Sequence, residues 1–310
     1  MENWKYTNRR QFLSGCGALW AASVLTPVTV NAARQPKLHT GLIPSSGERV
    51  PMLGMGTWIT FNVGNNPQLR NARAAVLGAF FSAGGTFIDS SPMYGSAEQV
   101  LGYTLAKNPG FKPFAATKTW TSSQNEAREQ LSDSLAFWQQ FRFDLLQVHN
   151  LVGWQHHLPW LQELKQQGII RYLGITTSHG RRHKEVEMIL KSHPVDFVQL
   201  TYNLIDTEVL QTLIPLAREK GVAVICNRPF QGGRLATHAK QAPVPGWAGE
   251  LGCSTWPQLL LKYVLATPGV TVAIPATSQV AHMQENMQAM YGELPDLKTQ
   301  RAIKDAFRAI

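Results

Sequence analysis

Apolar and polar positions along this chain switch repeatedly between a strand-like and a helical period. "HTGLIPSSGERVPMLGMGTW" reads as a small hairpin turned at Ser-Ser-Gly, followed by a strand ending near Trp58. "QLRNARAAVLGAFFSAG" places apolar residues at helical spacing and stops on glycine. Strands follow at "TFID", "FAATK", "FDLLQVH", "IRYLGIT", "VDFVQLTYN", "VAVIC" and "VTVAIP". Helical patterns alternate with them: "SAEQVLGYTLAK", "NEAREQLSDSLAFWQQF", "LPWLQELKQQG", "RRHKEVEMILKS", "TEVLQTLIPLAREKG", "TWPQLLLKYVLAT" and "QVAHMQENMQAMYG". "LKTQRAIKDAFRAI" closes the chain as an amphipathic helix. Short apolar strands suit a sheet covered on both faces, and strand–helix units joined by short loops imply parallel strands with right-handed crossovers. Eight such units in about 250 residues predict an α/β fold, a (β/α)8 TIM barrel with an N-terminal hairpin and a C-terminal helix. A doubly wound open sheet is the rival, and no G-x-G-x-x-G follows the first strand to support its dinucleotide-binding version. One connection, from Asn227 to about Ser254, is rich in Gly, Pro and Ala without a clear period. Loops of that length are usually functional or mobile.

The N-terminus departs from this pattern. Arg9 and Arg10 precede Phe12 and Leu13, an apolar small-residue run extends to about Val30, and Val30-Asn31-Ala32 has the form of a cleavage site. Residues 1–32 resemble a twin-arginine export signal, which implies the Tat machinery as a partner and the periplasm as destination. The apolar run is short for a membrane span, so no stable span is expected once the signal is cleaved. Residues 33–310 then form the barrel. Cys226 and Cys253 remain in it, with one disulfide open to them in an oxidising compartment.

Composition narrows the class. Hydrophobic residues make up 44% and charged residues 16%, which excludes a disordered chain. The formal charge of +9 comes from scattered residues with no long basic run, so a solvated basic surface is expected and no nucleic-acid partner. His156 and His157 have no acidic or cysteine neighbour at ligand spacing, so no metal site is expected.

The candidate chemistry stands at the strand ends. The second barrel strand ends in Asp89, with Tyr94 in its loop; the third ends on Lys118 and the fourth on His149. Each alone has an ordinary explanation as a helix cap, a packed ring, a solvated ammonium or a backbone-bonded imidazole. Together they converge from three adjacent strands on the face where barrel enzymes carry their active sites. A lysine beside a phenol favours the phenolate, an aspartate holds the lysine, and a histidine can orient a carbonyl oxygen. No side chain among them supplies two electrons, so carbonyl reduction there requires a hydride from a nicotinamide cofactor. Trp58, Trp120 and Trp154 follow strand ends and are candidates for an aromatic-walled substrate cleft, with packing of the barrel rim as the plain alternative.

"GMGTW", "FIDSSPMYG", "ATKTW", "LLQVHN", "LGITTS", "VQLTYNLID" and "AIPATSQVAHMQEN" occur in the order found in aldo-keto reductases, and the chain resembles that family over nearly all of residues 33–310. The resemblance implies reduction of an aldehyde or ketone, or oxidation of the alcohol, with NADPH or NADH. It implies Tyr94 as general acid/base, Lys118 and Asp89 as its tuners, and His149 as the group that positions the carbonyl. It also implies cofactor contacts at Thr57, Thr176, Thr177 and Gln199, along Phe230, Gln231, Gly232 and Gly233, and at Thr277, His282, Glu285 and Asn286. Three positions depart from the family. Asn227, followed by Arg228, stands where many members stack an aromatic on the nicotinamide, and Ala276 and His282 stand where many hold the 2′-phosphate with cations. A binding barrel that senses nucleotide or a partner with little turnover is the second reading; the departures favour it and the intact Asp-Tyr-Lys-His set opposes it.

Overall fold

The computed structural model describes residues 38–310; the expected export signal, residues 1–32, lies outside them. The hairpin pairs β1 (Thr40–Leu42) with β2 (Arg49–Pro51) through a turn in which Gly47 has φ +77°. Eight parallel strands follow: β3 (Met55–Gly56), β4 (Phe87–Asp89), β5 (Phe114–Thr119), β6 (Phe143–Val148), β7 (Ile170–Thr176), β8 (Phe197–Thr201), β9 (Ala223–Asn227) and β10 (Val270–Ala273). Each pairs with the next in chain order. The ends of the sheet meet: Gly54 N donates to Ala273 O at 2.9 Å, Ala273 N to Met52 O at 2.9 Å, and Gly56 N to Pro275 O at 3.0 Å. The seam needs glycine, because a Cβ on Gly54 would lie 2.8 Å from the Phe87 carbonyl oxygen. The result is the expected (β/α)8 barrel. Its helices are α1 (Pro67–Ser82), α2 (Ala97–Ala106), α3 (Gln124–Trp138), α4 (Trp154–Gln166), α5 (His183–Ser192), α6 (Leu213–Glu219), α7 (Arg234–His238), α8 (Trp256–Leu265), α9 (Val280–Gln288) and α10 (Leu297–Arg308). Among the described residues no helix is long and apolar enough to cross a membrane.

Strand side chains alternate between two cores. Ile88, Leu146, Leu173, Val198 and Val224 face the helices, whereas Phe87, Phe114, Leu145, Tyr172, Phe197, Ile225 and Val272 fill the barrel. Ile43 and Val50 of the hairpin join that inner cluster and close its lower end. The hairpin is also tied by polar contacts, since Tyr172 Oη donates to Glu48 Oε2 at 2.7 Å and Arg171 bridges Glu48 and Asp144. Further along, inward positions turn polar: at Asp89, Gln147, Gln199 and Asn227 two residues on, and at Lys118 two residues beyond the inward Ala116. The barrel therefore has an apolar floor beneath a polar layer.

Three local expectations differ from the structure. The helix expected from Leu158 begins at Trp154, and Pro159 sits within its interior rather than its first turn. The segment expected as one helix from Thr207 breaks into a short turn, Glu208–Leu210, and α6. Pro215 accounts for the break: it stands in the first turn of α6, whereas in one continuous helix its ring would crowd the carbonyl four residues back, that of Gln211. The long connection after β9 contains α7 and a helical turn, Gly246–Leu251. Neither is long enough to reveal a period in sequence.

Candidate active site

The residue parity that builds the barrel also aims the candidate groups inward. Asp89 is the last residue of β4, and the chain then turns sharply because Ser91 Oγ caps the turn Pro92–Tyr94. That leaves the Asp89 carboxylate free of capping duty. Its Oδ2 lies 2.5 Å from Lys118 Nζ, which also donates to Ser90 O at 2.7 Å. Its Oδ1 accepts from Gln147 Nε2 and Gln199 Nε2, each at 3.0 Å. The ammonium lies 5.2 Å from the centre of the Tyr94 ring. The His149 ring stands nearly edge-on to Tyr94 at 5.7 Å, and its Nδ1 is 2.9 Å from Ser91 Oγ. All four expected residues thus meet at one place.

Their electrostatics follow from burial. Burial pushes Lys118 down, but the Asp89 carboxylate and Tyr94 outweigh it, so the ammonium is held above its ordinary pKa and stays charged. Burial pushes His149 down to about 3, with the Lys118 charge adding to the effect, so the imidazole is neutral at ordinary pH. The Tyr94 phenol is raised, because burial outweighs the opposing pull of Lys118. The sequence argument weighed only the lysine; the low-dielectric pocket dominates, and Lys118 moderates a rise instead of producing a net fall.

A cavity of about 340 Å³ opens above these groups. Trp58, Ile59 and Met93 give it an apolar side next to Tyr94 and His149, and Thr176, Thr177, Gln199 and Asn227 give it an amide and hydroxyl side. Asn227 links that second side: its Nδ2 lies 2.9 Å from Thr177 O and 3.3 Å from Gln199 Oε1, and its Oδ1 accepts from Thr201 Oγ1 at 2.6 Å. Beyond it lie Arg228, Phe230, Gly232 and Gly233. Gly232 and Gly233 have φ +72° and +92°, and the Arg228 guanidinium passes 3.6 Å from where a Gly232 Cβ would be. The first of these surfaces offers a primary carboxamide side-chain amides and hydroxyls that can exchange their present bonds for it, and the second offers a diphosphate exposed backbone and a cation. The residues present therefore fit a nicotinamide dinucleotide.

The other expected residues are engaged differently. Thr57 lines the cavity, but its hydroxyl donates to Asp89 O at 3.0 Å and lies 2.9 Å from Ser90 Oγ, so it secures the strand end. The Gln231 amide turns to Asp206 at 3.2 Å. Thr277, His282, Glu285 and Asn286 lie outside the cavity lining, His282 exposed and Asn286 buried. Trp120 is 45% exposed and outside the lining. Trp154 is buried and donates to Glu185 Oε1 at 2.6 Å, so it packs the rim as the plain alternative had it. Of the adjacent histidines, His156 is exposed and His157 bonds Thr121 O at 2.6 Å; among the described residues no cluster of three or more acidic, histidine or cysteine ligands occurs. Cys226 and Cys253 are free and buried. The structure adds Gln147 and Ser91 to the site and brings Arg228 into the cavity lining. Gln147 was legible, since it stands two residues before His149 and so faces the same way.

Known proteins resemble this chain over most of its length. The chain is 26% identical over 261 residues to methylglyoxal reductase YeaE of Escherichia coli, covering 82% of this chain and 90% of that protein. It is 26% identical over 291 residues to L-galactose dehydrogenase of Arabidopsis thaliana, covering 82% and 88%. An aldo/keto reductase from Klebsiella pneumoniae, solved with NADP and acetate, has the same fold with a TM-score of 0.73 at 23% identity, covering 86% of this chain and 95% of that one. A family model matches residues 52–302, from just before β3 into the last helix, and by that match the chain belongs to the aldo/keto reductase family of oxidoreductases.

Proposed function

We propose that this chain reduces a small aldehyde or ketone with a nicotinamide dinucleotide, NADPH or NADH, with Tyr94 as the proton donor. The observation that carries this reading is the buried Lys118 ammonium, 2.5 Å from Asp89 and 5.2 Å from the Tyr94 ring, under a cleft that His149 also lines. When bound, the nicotinamide supplies the hydride. As the carbonyl carbon gains it, the π pair moves to oxygen, and Tyr94 Oη gives that oxygen its proton. The phenolate left behind is stabilised by the neighbouring Lys118 charge, which Asp89 keeps in place. Ser91 Oγ accepts from Met93 N, which leaves its own hydrogen for His149 Nδ1. With the Ser91 hydrogen donated to Nδ1, the neutral ring carries its own hydrogen on Nε2, the nitrogen from which it would donate to the substrate oxygen. Thr176, Thr177, Gln199 and Asn227 would hold the carboxamide, and Arg228 with Gly232 and Gly233 the diphosphate.

The apolar wall of Trp58, Ile59 and Met93 favours uncharged carbonyl compounds. Methylglyoxal is the first substrate to try, since curated relatives are named methylglyoxal reductases. Residues 1–32 we read as a twin-arginine signal that delivers the folded barrel to the periplasm, with the segment after β9 retaining the cofactor; cell fractionation and analysis of the nucleotide in the exported protein test this. A cytoplasmic protein, or an exported one active only with added nucleotide, counts against it. The catalytic test is Tyr94→Phe, assayed by oxidation of NADH and NADPH with methylglyoxal and an aldehyde panel. Turnover should fall by roughly 10²–10⁴-fold, the usual worth of a general acid, while dinucleotide binding persists. Unchanged turnover refutes the assignment.

A further inference from the structure

Gln147 is wholly buried and touches the reacting machinery without a role in the scheme above. Its Nε2 donates to Asp89 Oδ1 at 3.0 Å, and its Oε1 accepts from Gln199 Nε2 at 3.2 Å. Space for it is made on β7, where its register partner is Gly174; a Cβ there would come within 3.1 Å of Gln147 Cγ. Asp89 is therefore gripped on Oδ2 by Lys118 and on Oδ1 by two carboxamides.

The position of Gln199 is the more demanding one. An amide nitrogen has two hydrogens. Those of Gln199 are committed, one to Asp89 Oδ1 and one to Gln147 Oε1, while its Oε1 accepts from Asn227. Yet Gln199 lines the cleft on the side that fits a carboxamide. To donate to a ligand it must release one of these bonds. If it releases Asp89, the buried carboxylate oxygen stays bonded only because Gln147 remains. Leaving a buried charged acceptor short of donors is strongly unfavourable, so Gln147 decides how easily Gln199 is freed.

We propose that Gln147 is a positioning residue that keeps Asp89 bonded while Gln199 turns to the nicotinamide carboxamide. This rests on the reductase reading above. Replacing Gln147 by an apolar side chain leaves Gln199 as the sole carboxamide on Asp89 Oδ1; its second hydrogen loses its acceptor but, in this pose, is still aimed at position 147, so donating to a ligand would mean leaving Asp89. The nicotinamide half of the cofactor should then bind more weakly, and the adenosine half should not notice.

The test is equilibrium binding, followed by tryptophan fluorescence or calorimetry, on full-length wild type, Q147M and Q147L. The probes are NADH with ADP-ribose, and NADPH with 2′-phospho-ADP-ribose, each pair differing only in the nicotinamide. The expected result is a Kd about tenfold higher for the dinucleotide, equivalent to losing one charge-assisted bond, with the ribose probe within about twofold of wild type. Two apolar fillings are used so that one poorly folding variant does not decide the matter. Equal losses for both probes would show a merely structural residue, and no loss for either would show an idle one; both results overturn the proposal. A wild type that binds neither dinucleotide overturns the reductase reading and this inference with it, and is distinguishable from a wild type that binds while the variants bind equally well.

Discussion

The neutral state of His149 has a consequence for stability that can be measured without knowing the substrate. An unfolded histidine takes up its proton near pH 6.5, whereas burial beside the Lys118 ammonium holds folded His149 down to about 3. Between those values the unfolded chain binds a proton that the native ring refuses. Stability is therefore complete above about pH 6.5, falls as pH drops through the window, and levels off below about pH 3. From about pH 8 to about pH 5, the proton-binding ratio changes by roughly 1.5 log units, which is about 2 kcal/mol at 1.36 kcal/mol per unit. The perturbation is His149→Gln, which keeps a polar side chain near Ser91 but cannot titrate. Urea unfolding of both proteins across this pH range gives the two stability curves. Burial also lowers His179 and His183, but they act on both proteins alike, so the difference isolates His149. The wild type should lose about 2 kcal/mol more than the variant over this range. Parallel curves would mean that the ring protonates freely in the native state, and the neutral donor assigned to it would have no basis.

The cleft and the barrel wall separate experimentally. Trp58→Ala should raise KM for the carbonyl substrate several-fold with little change in the urea midpoint, since Trp58 lines the cavity and is 43% exposed. Trp154→Phe should do the opposite, leaving KM alone while costing about 1–2 kcal/mol for the lost bond to Glu185. Glu98, buried on α2, accepts from Thr117 Oγ1 at 2.6 Å, Ser134 Oγ at 2.8 Å and Trp138 Nε1 at 3.1 Å, joining α2, β5 and α3. Glu98→Ala strands three buried donors at about 1–3 kcal/mol each, so urea unfolding should show a loss of several kcal/mol. Glu98→Gln, which retains an acceptor for Thr117 and Trp138, should recover most of it.

What sequence could reveal here depends on whether a group's partner lies at a fixed interval or at one set by closure of the barrel. The strands and most helices are periodic, and the sharp strand endings at Asp89, Lys118 and His149 mark three neighbouring tips; topology alone then brings those tips together. Tyr94 follows from the same logic, because Ser91 and Pro92 force a turn immediately after β4. Contacts across the barrel follow another rule. Gln199 reaches Asp89 from 110 positions away, through an inward parity that any strand shares, and nothing local distinguishes it from a glutamine that bonds only to its own neighbours. Trp154 and Trp58 illustrate the same limit, as both follow a strand tip. Only the early start of α4, which carries the Trp154 indole to Glu185, separates a wall of the fold from a wall of the cleft. Asn227 inverts the case. Sequence marked it as a departure from the family, yet its amide joins Thr177, Gln199 and Thr201. The side of this cleft proposed for the nicotinamide is thus built on hydrogen-bonded amides where many family members carry an aromatic. A group recognised that way is bound by direction more than by area, so its affinity should depend on which amides are free to turn. On the proposed reading, that dependence would put the control of cofactor binding in the Asn227–Gln199–Gln147 chain that ends on Asp89, within contact of Lys118, one of the residues proposed to serve the proton transfer.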